Sequence, residues 1–214
     1  IRDWSVTGVQ TCALPICLRL WNKALEHLPT QNIGLDGVIE QQENYKKSGF
    51  ILAYRNIRFS GFSKKMTSIA PEIISTKNID LNKIIDFETN IFPAKRKIFL
   101  SNWLKQPESY SVCFVENKNI RGYGMIRKCR NGYKIGSLFA DSLKVSECIF
   151  DALSDHLDEG TEIFLDVPEL NAEGIDLTKK KKMSSVFETA RMYTKEIPDI
   201  NISKVFGVTT FELG

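Results

Sequence analysis

One stretch, Gly132–Leu157 (GYKIGSLFADSLKVSECIFDALSDHL), limits the folds open to this chain more than any other. Its first part alternates as a strand, with Tyr133, Ile135 and Ser137 against Lys134, Gly136 and Leu138, and Phe139 closing the run. Val145, Ile149, Ala152 and Leu153 then recur at three- and four-residue spacing, the pattern of a half-buried helix. Asp141 and Ser142 stand at the junction, and both are good N-cap residues. With the apolar run Thr161–Val167 (TEIFLDV) behind it, the stretch predicts a β-α-β unit and a parallel strand pair. Unpaired N–H groups at such a helix start suit a phosphate or pyrophosphate. An ordinary capped β-α unit gives the same pattern.

The elements around it fit a mixed sheet flanked by helices. Tyr110–Glu116 and Arg121–Lys128 read as strands joined by the turn Asn117-Lys118-Asn119, and Arg130-Asn131-Gly132 turns the chain into the central stretch. Gly122 and Gly124 lie inside a strand, which suggests close packing or a bulge rather than a phosphate loop. Asn78–Gln106 is helical in character, with Asp80 or Asn82 as cap and Pro93 splitting it. Lys95, Arg96 and Lys97 cluster beside Phe92 and Phe99, as a solvated helix face or an anion contact. Asn171–Lys182 reads as a helix, and Ser185–Thr194 and Val205–Leu213 as a final strand pair about a Pro198-Asp199 turn.

Nearer the N-terminus, Leu18, Leu20, Trp21, Ala24, Leu25 and Leu28 share a helical face that Pro29 stops. Asn32–Val38 is a short strand, Glu40–Lys47 a polar helix capped by Ser48-Gly49, and Phe50–Phe59 another strand. Phe62–Pro71 is polar and basic and reads as a linker. The expected organisation is therefore residues 17–61 as the end of a first domain, 62–71 as linker and 72–214 as a complete second domain. Residues 1–16 lack either periodicity, and Val6–Ile16 resembles a translated sequencing adapter. They are expected to be an artefact replacing a true N-terminal part.

The net charge of +3 is too small to argue for nucleic acid. Lys95–Lys97 and Lys179–Lys182 keep a nucleic-acid module open as a third reading. Five cysteines without metal-ligand spacing point to a reducing, cytosolic setting and to no structural metal. No apolar run reaches the ~18 residues of a membrane span.

Tyr45-Lys46-Lys47-Ser48-Gly49-Phe50 is similar to the "Tyr, two polar residues, any, Gly, Phe" signature of the GCN5-related N-acetyltransferases, the GNAT superfamily. The phrases NIGLDGV, SGFILAYRNIRFSG, GYKIGSLFAD, SVFETARMYT and VFGVTTFELG resemble tandem members of it, over about Cys17–Gly214. The resemblance implies an α/β (α+β) fold, a GNAT-like mixed sheet flanked by helices and preceded by a partial GNAT half-domain. It implies transfer of an acetyl group from acetyl-CoA, as cosubstrate, to an amine of a small molecule or peptide, with no metal, nucleic acid or membrane involved. Tyr45 would be the acid that protonates the departing thiolate.

In the family a splayed strand offers a backbone N–H to the thioester carbonyl and pairs with the pantetheine arm. Here that implies Gly136, Ser137 and Leu138, with Ala140, Asp141, Ser142 and Leu143 near the pyrophosphate. Asp166, Glu169 and Glu188 are candidate bases or amine-recognising carboxylates. Asn171, Gly174, Leu177, Thr178, Lys182 and Met183 sit at the spacing of the family's "Asn, Ala, Leu, Tyr, Gly, Phe" signature, and only Asn171 and Leu177 match it. Thr178 replaces the acid there, and Asp141 puts negative charge at the expected pyrophosphate. These departures support an alternative: a degenerate, non-catalytic GNAT-like domain of a truncated tandem enzyme, serving substrate binding or structure.

Overall fold

The computed structural model describes residues 10–92 and 95–211. Two compact units follow each other along the chain, Ile1–Ile33 and Gly34–Gly214. The first contains helix α1 (Gln10–His27). It begins before the expected Leu18, because helical hydrogen bonding propagates through residues that carry no amphipathic period. Residues 1–9 of the expected artefact lie outside the described residues.

The second unit is built on one sheet of nine described strands. In chain order these are β1 (Gly34–Val38), β2 (Ile51–Phe62), β3 (Ile73–Ser75), β4 (Ser109–Glu116), β5 (Asn119–Lys128), β6 (Tyr133–Ala140), β7 (Glu162–Pro168), β8 (Ser184–Tyr193) and β9 (Val205–Gly207). The helices are α2 (Gln42–Lys47), α3 (Leu81–Thr89), α4 (Lys97–Trp103), α5 (Leu143–Asp155) and α6 (Ala172–Lys180). The sheet order is β1-β8-β2-β7-β6-β5-β4-β3, with β9 beside β6. Strands from both sides of residues 62–71 thus share one sheet, and that segment is tied down. Ser63 N donates to Thr161 O, Lys64 N to Ser154 Oγ and Met66 N to Asp155 Oδ1.

Each face buries a separate apolar cluster. On one, α5 lays Val145, Ile149 and Leu153 over Val112, Ile126, Ile135 and Leu138, and Leu177 of α6 extends the same cluster. Gly122 and Gly124 permit this approach: a Cβ on either would stand 2.8 or 2.7 Å from Ile149 side-chain atoms. Close packing is therefore their role. On the other face Ile84, Ile85, Phe87 and Leu100 of α3 and α4 cover Cys113, Tyr123 and Phe139. The α3 start is capped by Asp80, whose carboxylate accepts from Asn82 N. Pro93, expected to split the helices, lies outside the described residues.

The final segment departs from expectation. β9 does not pair with β8, as the sequence pattern suggested, but lies antiparallel to β6 with Leu138 opposite Gly207 and Phe139 opposite Val205. The reason is a gap. β6 and β7 are parallel and paired only from Tyr133–Ile135 to Ile163–Leu165, and then part. The freed backbone groups need partners. β9 supplies them on one side, and Val208 N donates to Asp166 O at 2.9 Å on the other. Both edges of β8 are already taken, by β1 and β2.

Helices α2 and α6 end alike. Phe50 N donates to Tyr45 O and Gly49 N to Lys46 O; Met183 N donates to Thr178 O and Lys182 N to Lys179 O. Both are left-handed caps of the Schellman type. Gly49 adopts its φ of 89° without steric cost, whereas Lys182 at φ 56° carries a Cβ into the left-handed region. Replacing Lys182 by Gly is therefore expected to stabilise the fold by about 1 kcal/mol. Urea unfolding of the two forms checks this, and an unchanged or lower midpoint refutes it.

Candidate active site

The turn from β6 into α5 is where the resemblance puts the cosubstrate. Gly136, Ser137 and Leu138 lie in β6 beneath the chain's own C-terminal segment. A Cβ at Gly136 would stand 2.5 Å from Thr209 O and 2.7 Å from Val208 O, and Ser137 Oγ is 2.9 Å from Thr209 Oγ1. Ser137, Leu138 and Ala140 are fully buried. The opening between β6 and β7 is occupied by residues 205–209.

The helix start is occupied as well. Ser142 is the N-cap and accepts from Val145 N, while Leu143 N donates to the Glu173 carboxylate of α6 at 3.0 Å. Asp141 does not cap. Its carboxylate accepts from Arg121 Nε at 2.8 Å and lies 2.9 Å from Lys204 Nζ. Two carboxylates, Asp141 and Glu173, thus stand at a helix start that would have to attract an anion. Asn171 caps α6, accepting from Gly174 N, and donates to the Ser203 and Val205 carbonyls. Its side chain anchors the segment that fills the gap. The side chains present at Gly136–Leu143 do not fit a pantetheine arm and a pyrophosphate.

The candidate carboxylates fall on opposite faces of the sheet. Asp166 has no exposed side-chain surface and is held bidentately by Arg58, at 2.7 and 2.9 Å, and by Lys134. Burial pushes the Lys134 ammonium below its ordinary pKa, against the attraction of Asp166. The ring of Phe211 covers both cations. Glu188 is half-exposed and paired with Arg55 at 2.9 Å. Glu169 accepts from the Arg55 backbone N–H. The structure therefore does not bring Asp166 and Glu188 together.

Tyr45 lies on the Glu188 face. Its ring lies against Gly37 of β1: a Cβ there would come within 2.1 Å of Cε2 and 3.0 Å of Cζ. Gly37 is opposite Ala190 of β8, and Glu188 is two residues further along the same face. Partial burial raises the Tyr45 phenol above its ordinary pKa of 10.0. In the second half the equivalent helix carries Thr178, whose hydroxyl donates to Ile175 O.

Two features escaped sequence reasoning. Asp36 of β1 is buried and bound by Arg191, Asn56 and Thr189, and desolvation raises its pKa despite these partners. Glu88, also buried, accepts from Tyr123 and Arg96, with Arg96 stacked over Phe92 and Phe99. Within the Lys95–Lys97 cluster only Arg96 makes this clasp; Lys95 and Lys97 are exposed. Similarly, Lys179, Lys180 and Lys181 each pair with a carboxylate, from Asp176, Glu147 and Asp151. A cleft of about 330 Å³ lined by Tyr110, Tyr133, His156 and Asp158 lies at the opposite end of β6 from these groups.

Known proteins resemble the chain along nearly all of its length. It is 29% identical over 198 residues to holothin acyltransferase from a Pseudoalteromonas strain, spanning 92% of this chain and 67% of that protein. A proposed acetyltransferase from Pyrococcus horikoshii shares the fold with a TM-score of 0.74 at 22% identity, over 99% of this chain and 68% of that one. A GCN5-related N-acetyltransferase from Sphaerobacter thermophilus follows with a TM-score of 0.58 at 11% identity, over 91% and 71%. The acetyltransferase (GNAT) domain profile matches residues 84–207, more than half of the chain. The chain belongs to the GNAT acyltransferase family.

Proposed function

We propose that the protein takes part in transferring an acetyl group from acetyl-CoA to an amine of a small molecule or peptide, in a cytosolic setting. In this reading Tyr45 is the proton donor, and residues 72–214 form a structural or substrate-side partner rather than the cosubstrate's seat. The observation that carries the reading is the filled opening between β6 and β7, together with Glu173 on the α5 start. The relative named holothin acyltransferase supports acyl transfer as the chemistry.

The chemistry sets simple demands. The amine attacks the thioester carbonyl, forming the C–N bond, and the C–S bond breaks. One proton leaves the attacking nitrogen, and one reaches the departing thiolate. Tyr45 Oη holds the second proton, and partial burial, which raises its pKa, favours the protonated phenol. Glu188 is exposed enough to receive the first proton or to bind the ammonium. Asp166 is not, because its charge is consumed by Arg58 and Lys134.

Tyr45→Phe is expected to lower kcat at least about tenfold with KM unchanged, since it removes a proton donor and no binding contact. Any alkaline limb of the rate profile above pH 10 disappears with it. An unchanged kcat rejects Tyr45 as the acid. Asp166→Asn should instead unfold the protein more easily, by about 3–5 kcal/mol, as the buried Lys134 and the partly buried Arg58 lose their counter-charge. A stable but inactive Asp166→Asn protein would return Asp166 to the catalytic candidates. Calorimetric titration with acetyl-CoA tests the closed opening. Ser137→Ala should leave the binding isotherm unchanged, and a large loss of affinity places the cosubstrate at β6.

A further inference from the structure

The order β1-β8-β2-β7 reads the same in both directions once two segments are matched. β1, α2 and β2 form one β-α-β unit; β7, α6 and β8 form another. β1 and β2 are mutually parallel and separated by β8; β7 and β8 are mutually parallel and separated by β2. Each unit leaves a gap one strand wide, and the second strand of the other unit fills it.

The register makes the match residue by residue. One displacement carries Tyr45 onto Thr178, Gly49 onto Lys182, Asn56 onto Thr189 and Arg58 onto Arg191, while the first strands match at a displacement shorter by 3 residues, which carries Leu35 onto Leu165, Asp36 onto Asp166 and Gly37 onto Val167. Asn56 and Thr189 face each other in the ladder, so a local two-fold axis passes between them. The flanking ladders correspond pair for pair. Asp36 opposite Arg191 matches Asp166 opposite Arg58, and Leu35 opposite Met192 matches Leu165 opposite Phe59. Both aspartates are buried, and each is bound by the arginine of the other unit. The two left-handed helix caps correspond as well, hydrogen bond for hydrogen bond. Two unrelated segments would not share register, caps and buried ion pairs at once.

The copies differ at one seat. In the first, Gly37 follows the buried aspartate and the Tyr45 ring lies on it. In the second, Val167 follows the aspartate and the helix offers Thr178, with Gly174 rather than the strand residue giving way. Gly with Tyr, and Val with Thr, are two fillings of one strand-helix contact. Residues 34–62 and 162–193 thus match as interlocked copies of one β-α-β unit, in keeping with the resemblance to tandem members of the family. We propose that Gly37 is the positioning residue that seats the Tyr45 phenol in the copy that keeps it. The role of that phenol rests on the function proposed above; the duplication and the seat do not.

The test is a cycle on the full chain: Gly37→Val, Tyr45→Thr and the two together, which gives the first copy the second copy's pair. Gly37→Val alone should lower the melting midpoint by several degrees. In the Tyr45→Thr background the same change should lower it far less. An equal drop in both backgrounds overturns the seat. Gly37→Ala then separates seating from catalysis. Pushed off its buried seat, Tyr45 should titrate nearer pH 10 by ultraviolet difference absorbance against Tyr45→Phe. The alkaline limb of kcat should move down with it while KM stays put. An unmoved phenol titration overturns the positioning role. If the titration moves but kcat shows no Tyr45-dependent limb, the seat stands and the catalytic reading of Tyr45 fails.

Discussion

A β-α-β crossover whose two strands are not neighbours leaves a row of backbone N–H and C=O groups with no partner on either side of the gap. Those groups must be hydrogen-bonded inside a protein, since each orphan costs on the order of 1–3 kcal/mol. Here the constraint is met by reciprocity. β8 enters the gap of the first unit and β2 that of the second, so neither unit completes its sheet alone. The twin ion pairs follow from the same interlock. Asp36 and Asp166 each sit on a strand paired with a strand of the other unit, and the arginine that pairs with each carboxylate comes from that other unit. Buried pairs of this kind add little net stability over apolar packing but punish misalignment, which suits a sheet whose register must be held.

The gap between β6 and β7 is met differently. There the strands are parallel and diverge, and the chain's own C-terminal segment closes the opening with β9 on one side and Val208 on the other. Asn171 pins that segment by two carbonyls, while Glu173 and Ser142 take the first amides of α5. The family's fold is complete at this end, but the features that would receive an anionic cosubstrate have become internal contacts. Tyr45 lies in the other unit, on the face that Glu188 shares and Asp166 does not.

Much of the architecture was legible in the sequence because it rests on local rules. The β6–α5 junction, the hairpin turns with Asn117 and Lys118 at positive φ, the Asp80 cap and the Gly49 terminus all stand where residue types placed them. The strand periods were readable too, since each follows from which face is buried. What failed were statements about partners. Val205–Leu213 has strand composition, yet composition does not say which edge it joins. The basic runs at Lys95–Lys97 and Lys179–Lys182 are mostly exposed, as a solvated face would be, but Arg96 and Lys181 turn inward to Glu88 and Asp151, partners that residue type alone does not name.

By itself the sequence determined most of the elements, though not the short strand Ile73–Ser75, together with the family and the residue types available for chemistry: one phenol at a helix end, and a threonine at its counterpart. It could not determine that the strands on either side of residues 62–71 share one sheet, or that Asp166 is neutralised on the far face from Glu188. Nor could it show that residues 205–209 fill the opening assigned to a cosubstrate. Local structure is set by backbone conformation and burial pattern within a few residues. Partner choice is set by which unsatisfied edges and charges meet when distant segments close on each other, and only the tertiary structure decides that.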